Sequence, residues 1–388
     1  MKKIGIITLQ NSNNFGAMYQ AYALQQYLIG LGHEVFIINY EMTRDSHGPK
    51  FYVTHLFSLL LKLCYRRFYI KKFLGGSSSK LFIKNIKTKY APIFSDFRDK
   101  YLNITKSEYD YEKLCESAPK ADVYICGSDQ VWAADFLFTS PAYLLGFVSG
   151  KTKKVSYAPS FGKKTLEYYL KRTFKKHIND FDFISVRESS GKDIIDSLSR
   201  HSAQVVLDPT LLLSKQGYSS IINYSYITEK PYLLVYLLEQ EENLKKWTVN
   251  MVNLVEEKTG HKVIYVTTNN SLEPPPKWET IYPTPNQFLG LIDKAKLVMT
   301  NSFHGTVFSL IMEKNFISIA RDKYLDKQNL RIKGLTKKLG LENRFLEPYS
   351  KAQKISPFLE KDIDYNKVNK ALVPLRNKSY AFLENAIN

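Results

Sequence analysis

Apolar positions along the chain fall into short runs, each stopped by small or polar residues and followed by a helical spacing. Residues 3–9 form the first run, NSNNFGA turns, MYQAYALQQYLIGLG has the spacing of a helix, and HEVFIINY is the next run. This is a strand–helix–strand unit with Asn13, Asn14 and Gly16 at the first strand-to-helix turn. DVYIC at 122–126 runs into GSDQVW, KVSYA at 154–158 into PSFG, DFISV at 182–186 into RESSGK, and QVVL at 204–207 into DPTLLL. Continuous β-branched runs of this kind predict parallel strands buried on both faces. A second series follows residue 215: PYLLVYLL, KVIYVTT, ETIYP, KLVMT and FISIA read as strands from 231, 262, 279, 296 and 316. Helical segments such as NLKKWTVNMVNLVEEK separate most of them.

The pattern predicts an α/β protein with an N-terminal domain at 1–214 and a second at 215–363. A last helix at 364–388, broken at Pro374, is expected to cross back to the first domain. Two doubly wound, Rossmann-like domains facing a cleft describe the glycosyltransferase B-type architecture, which by itself fixes no reaction. A length of 388 residues agrees with two domains, and no repeat of solenoid period interrupts them. Between 45 and 120 the alternation gives way to a basic helical insertion. Its stretch 51–89 holds nine Lys or Arg and no Asp or Glu, interleaved with Phe, Tyr and Leu, with a break at GGSSSK. Such a segment can lie on an anionic membrane surface. The alternative is a helical insertion packed on its own domain with a solvated basic face.

Composition narrows the partners. A hydrophobic content of 44% and 27 Tyr with 23 Phe mark a folded chain with ample aromatic surface for a core or a sugar. The net charge of +18 points to anionic partners. Half of it sits in 51–89 and no nucleic-acid motif accompanies it, so a nucleic-acid partner is not expected. Cys64, Cys115 and Cys126 are odd in number and lack metal-ligand spacing, which fits a reducing cytosol and no metal site. MKKIGIITLQ has too short an apolar run for a signal peptide, and no stretch is long enough to span a bilayer. The sequons at Asn103, Asn223 and Asn377 therefore carry little weight.

In doubly wound sheets ligands sit outside the carboxyl ends of the strands. Those ends carry Asp129, Gln130, Trp132, Ser160, Phe161, Arg187, Glu188 and Asp208 in the first domain. In the second, LVMTNSFHGTVFSL at 297–310 reads as a buried strand, a tight turn, and a helix from Thr306 with Val307, Leu310 and Ile311 on one face. A histidine at such a helix start, His304, can meet an anion and move protons, or it can simply cap the turn. Arg321 and Lys323 follow the next strand. Asp129 can equally be a helix N-cap, and Glu188 a helix-start carboxylate. Asp208 reads as a turn residue. Gly16 lets the backbone approach a ligand closely. No G-x-G-x-x-G marks a dinucleotide, and Lys192 follows Gly191 without a P-loop.

In this order NNFGAMYQAYAL, GSDQVW, SYAPSFG, SVRESSG, LDPTLLL and TNSFHGTVFSL resemble the polysaccharide pyruvyl transferase family, over residues 4 to about 345 apart from the basic insertion. NSFHG with GSDQVW carries the resemblance; SVRE or DPT alone would not. It implies phosphoenolpyruvate as donor substrate, with no cofactor, and a pyruvate ketal formed across two hydroxyls of a hexose. It also implies that His304 and Arg187 act on the donor. A phosphate and a carboxylate need cations and N–H donors, which Arg187, Arg321 and Lys323 would supply with Ser302, Phe303, Gly305 and Thr306. Many members carry an Arg where this chain has Ser302, which shifts phosphate binding onto those three cations. His304 is the candidate for proton transfer, and Asp129 for orienting or deprotonating the acceptor hydroxyl. Asn14, Gly16, Gln20, Gln130, Ser160 and Phe161 are expected on the acceptor side, with Trp132 as a stacking platform for a sugar. The acceptor implied is a lipid-pyrophosphate-linked glycan, met in the cytoplasm at the inner membrane face. The rival is a nucleotide-sugar glycosyltransferase of the same fold.

Overall fold

The structure, a computed structural model, describes residues 1–41, 92–133, 140–166, 168–226, 230–238, 240–267, 274–321 and 326–388. The basic stretch 51–89 and Lys323 lie outside them. The first sheet has seven strands: β1 (Lys3–Ile7), β2 (Glu34–Tyr40), β3 (Ile104–Tyr109), β4 (Val123–Cys126), β5 (Lys153–Ser156), β6 (Phe183–Val186) and β7 (Gln204–Val205). The second has six: β8 (Tyr232–Tyr236), β9 (Lys262–Val266), β10 (Glu279–Ile281), β11 (Leu297–Thr300), β12 (Asn315–Ile319) and β13 (Phe345–Leu346). The orders are 3-2-1-4-5-6-7 and 10-9-8-11-12-13, and every pairing is parallel. Both sheets therefore reverse direction of winding beside their first strand, β1 or β8. That reversal opens a crevice at the carboxyl ends, where loops can hold a ligand.

Six helices matter to the site: α1 (Phe15–Gly30), α2 (Ser189–Asp196), α3 (Pro285–Lys294), α4 (Phe303–Ile311), α5 (Asp326–Lys338) and α6 (Tyr365–Ile387). α1 is apolar nearly all round because it is covered on both sides. One face lies on the first sheet and the other meets the second domain. Phe15 stacks on Phe288 of α3 at 4.1 Å and 4°, and Tyr19 packs on Phe308 of α4 at 4.5 Å. The Tyr19 hydroxyl donates to the Pro285 carbonyl at 2.6 Å. One cluster of buried side chains thus runs through both domains. α6 ties them again. Near its start the Tyr365 hydroxyl donates to the Lys314 carbonyl at 2.5 Å. Further on, the Ser379 hydroxyl accepts from the Leu207 N–H at 2.9 Å and Arg376 Nε donates to the Leu211 carbonyl at 2.8 Å.

Three expectations are corrected. α6 is not broken at Pro374: Pro374 and Lys370 are both exposed, so the carbonyl that loses its N–H partner meets solvent. α4 begins at Phe303, three residues before Thr306, because Ser302 caps it with its hydroxyl accepting from Gly305 N–H at 3.3 Å. The span 45–120 is not all helical insertion, since β3 and the helix Tyr111–Ser117 within it complete the first sheet. β3 carries mostly exposed, polar residues and gave no apolar run to read. The two-residue β13 was likewise too short. Among the described residues no helix is long and apolar enough to cross a membrane.

Candidate functional site

The carboxyl ends of β4, β6, β7 and β11 bring three carboxylates and an imidazole together around Arg187. Arg187 leaves β6 and is only 6% exposed. Its Nη1 donates to Asp208 Oδ2 at 2.6 Å; Nη2 lies 3.6 Å from Asp129 Oδ1 and Nε 3.9 Å from Glu188 Oε2. Burial works against the guanidinium charge, but Asp208, Asp129 and Glu188 together hold its pKa above the ordinary arginine value. Its Nε and Nη2 are shielded from solvent and have no hydrogen-bond partner.

Asp208 caps the short turn Pro209–Leu212, its Oδ1 accepting from Thr210 N–H at 3.0 Å and from the Thr210 hydroxyl at 2.6 Å. The other oxygen is left for the site. Oδ2 meets Arg187 and also lies 3.5 Å from His304 Nε2, which reaches across from the second domain. Burial pushes the Asp208 carboxyl up, yet His304, Arg187 and Thr210 outweigh it and hold it well below the usual carboxylate range. The carboxylate is thus a fixed charge beside an imidazole whose Nε2 is buried and makes no hydrogen bond.

His304 stands in the first turn of α4, and Gly16 makes room for it. A Cβ on Gly16 would fall 1.9 Å from His304 Nδ1. The glycine therefore admits a side chain of the other domain, where a ligand had been expected. Gly305 serves a similar end, since a Cβ there would meet the Thr300 hydroxyl at 2.4 Å. The Thr306 hydroxyl is bound within the fold to Ser318 at 2.7 Å, and Ser302 acts as the helix cap. Phe303 turns its ring to two guanidiniums, with Arg187 Cζ at 4.9 Å and Arg331 Cζ at 5.6 Å from its centroid.

A cavity of about 460 Å³ opens between α2 and α5, with Arg187, Asp208 and Phe303 at its inner end. Six cationic and three acidic residues line it; Arg331, Lys333 and Lys337 come from α5. The first residues of α2, Ser189 and Ser190, line it as well, and Glu188 ahead of them makes no side-chain cap. The cavity thus joins an excess of positive charge to a helix N-terminus, a combination suited to an anion. His304 adjoins this cavity through Asp208 and does not line it.

The remaining candidates are placed elsewhere. Trp132 is fully buried among Phe161, Phe174 and Phe181, with Nε1 donating to the Tyr143 carbonyl at 3.0 Å. It presents no face to a sugar, and neither does Phe161, which is equally buried. Asn14 caps α1 by accepting from Gly16 N–H at 2.8 Å. Gln20 is buried and holds the loop after β4, accepting from Ser128 N–H at 3.0 Å. Ser160 is spent on Glu188, whose Oε1 accepts from the Ser160 hydroxyl at 2.8 Å and from Phe161 N–H at 3.0 Å. These five serve the scaffold under the site, and the buried Trp132, Phe161, Gln20 and Ser160 are not exposed to an acceptor. Half-buried Gln130 packs against Gly162. Arg321 is held at its backbone by Asn329 of α5, whose Oδ1 accepts from Arg321 N–H at 2.8 Å, and it does not line the cavity. Asp129 is at the site with a left-handed backbone, φ 60°; it is not the cap of a helix. Two residues were missed. Asp208 has the sequence setting of a turn former, which it is with one oxygen only. Arg331 lies in a helix with no motif around it, so nothing local distinguished it.

Solved structures share the architecture. A protein assigned as UDP-N-acetylglucosamine 2-epimerase from Listeria monocytogenes superposes with a TM-score of 0.52 at 10% identity, over 95% of this chain and 90% of that one. The UDP-GlcNAc 2-epimerase from Methanocaldococcus jannaschii gives 0.48 at 13% identity, over 93% of each chain. At such identities the likeness speaks for fold alone, and the fold is the glycosyltransferase B type. No curated protein sequence matches significantly. The sequence model for polysaccharide pyruvyl transferase matches residues 14–323, a span holding both sheets except β1 and β13, and the charged cluster around Arg187. The chain therefore belongs to the polysaccharide pyruvyl transferase family and is a transferase.

Proposed function

We propose that the protein transfers the three-carbon unit of phosphoenolpyruvate to a hexose of a polysaccharide precursor, closing a pyruvate ketal. The observation that carries this reading is the Arg187–Asp208–His304 chain beside a cationic cavity between the two domains. In this reading the phosphate and carboxylate of the donor lie in the cavity, with the methylene carbon toward His304. A proton carried by His304 is delivered to that carbon, and Asp208 supplies the counter-charge while it is carried. One sugar hydroxyl then bonds to the central carbon. A second hydroxyl bonds to the same carbon as the C–O bond to phosphate breaks. One hydroxyl proton restores His304 and the other leaves with inorganic phosphate, so atoms and charge balance. In this reading Asp129, half-buried at the cluster's edge, accepts the proton of the first hydroxyl and passes it on to His304.

The acceptor in this reading is a lipid-linked glycan met at the inner membrane face, and its support is the cation-rich stretch 51–89. The test is to incubate the protein with phosphoenolpyruvate and a panel of lipid-linked glycans. Inorganic phosphate should be released together with a pyruvate-bearing product. Release of a nucleotide from nucleotide sugars, with no phosphate from phosphoenolpyruvate, would replace this reading with that of a glycosyltransferase.

A further inference from the structure

Three carboxylates surround Arg187: Asp208 at 2.6 Å, Asp129 at 3.6 Å and Glu188 at 3.9 Å. Its positive charge is more than matched before any ligand arrives. Immediately around Arg187 a phosphorylated carboxylate would meet net negative charge, so its attraction must come from another cation of the cavity. Arg331 is that kind of group. It projects from α5 to the opposite side of the same cavity, over the ring of Phe303. Among the described residues it makes no ion pair or hydrogen bond, and its Nε is shielded from solvent without a partner. Burial, and then Arg187, pull its pKa down to about 10, still well above neutral pH, so it stays a cation. Arg331 is half-buried with its Nε shielded, so leaving this cation unpaired carries a cost for the free protein. It makes sense when a ligand supplies the missing anion.

We propose that Arg331 binds the phosphate of the donor, with the N–H groups at the start of α2 on one side and Arg187 across the Phe303 ring. This rests on the donor reading above and adds to it a residue from the second domain. Phosphate is the better match because the lysines of α5 surround this end of the cavity and a guanidinium fork pairs with phosphate oxygens. The donor is then gripped from both domains, by Arg187 of one and Arg331 of the other.

The test is Arg331→Met with Arg331→Lys, titrated calorimetrically with phosphoenolpyruvate and with inorganic phosphate. Arg331→Met should bind both ligands about 10- to 100-fold more weakly, and Arg331→Lys should fall between it and the wild type. The ligand-free Arg331→Met protein should melt at the wild-type temperature or above, because an uncompensated charge is gone. Unchanged affinity for phosphoenolpyruvate overturns the proposal and leaves the donor reading intact. A clear loss of stability, or failure to fold, also overturns it by making Arg331 a structural cation. Wild-type protein that binds phosphate through Arg331 but not phosphoenolpyruvate keeps the anion site and removes the donor reading. Binding of neither removes both.

Discussion

At Asp208 two jobs are divided between two oxygens. Oδ1 closes a turn with Thr210, while Oδ2 stands between Arg187 and His304. The turn aims the second oxygen, so a motif that looks purely local ends up orienting the site. Asp208→Asn should reduce turnover more than donor binding, because the residue positions His304 and does not itself touch the donor phosphate. It should also destabilise the protein by about 1–3 kcal/mol at neutral pH, since it weakens the shortest ion pair of buried Arg187 while Asp129 and Glu188 remain. The pH dependence has a definite sign. The folded pKa of Asp208 lies below its unfolded value of about 3.9. Its contribution is therefore complete above about pH 5 and fades as pH falls below about 4. Melting curves of the two proteins should accordingly converge in acid; an equal gap at pH 3 and pH 7 would contradict the assignment. His304→Ala should leave the fold intact and lower turnover by roughly two to four orders of magnitude, the usual span for a proton-transfer residue. Turnover near that of the wild type, in a folded variant, would remove His304 from the chemistry.

Among the elements, α1 and α4 matter most, because their N-termini meet at the domain boundary. Gly16 at the start of one lies against His304 at the start of the other. Gly16→Ala should push the imidazole aside and cost about 100-fold in turnover, with little change in donor affinity. A fully active Gly16→Ala protein would show that His304 has room the packing denies it. Strands of both sheets were legible in the sequence because parallel strands buried on both faces are written as unbroken apolar runs, as in VYIC and LVMT. β3 was not, since an exposed edge strand needs no such run. Arg187, Asp129 and His304 are legible as strand-end residues, whose positions follow from topology. Trp132 and Phe161 also sit at a strand end but point into the core. Burial of a single side chain depends on what packs above it. Arg331 was illegible for a different reason: it acts across the domain boundary, from a helix that carries no local signature.

For the whole molecule, the two domains are joined by an aromatic core and by α6, so the charged cluster is assembled from both. The basic stretch 51–89 belongs to this scale also, through its charge alone. Neutralising Arg66, Arg67, Lys71 and Lys72 should weaken co-sedimentation with anionic vesicles, each cation being worth about 1 kcal/mol near such a surface. Reaction on long-chain lipid acceptors should slow, while a soluble short-chain acceptor reacts almost as before, and added salt should mimic the variant. Equal loss on both acceptors would instead make the stretch part of the acceptor site. The most direct test of the account is mass spectrometry of the glycan after reaction with phosphoenolpyruvate in heavy water, for the wild type and His304→Ala. The account predicts a pyruvate ketal carrying one deuterium in its methyl group, formed with release of phosphate and nearly abolished in the variant. A glycan bearing an undeuterated enolpyruvyl ether, or a deuterated ketal formed equally fast without His304, would contradict it.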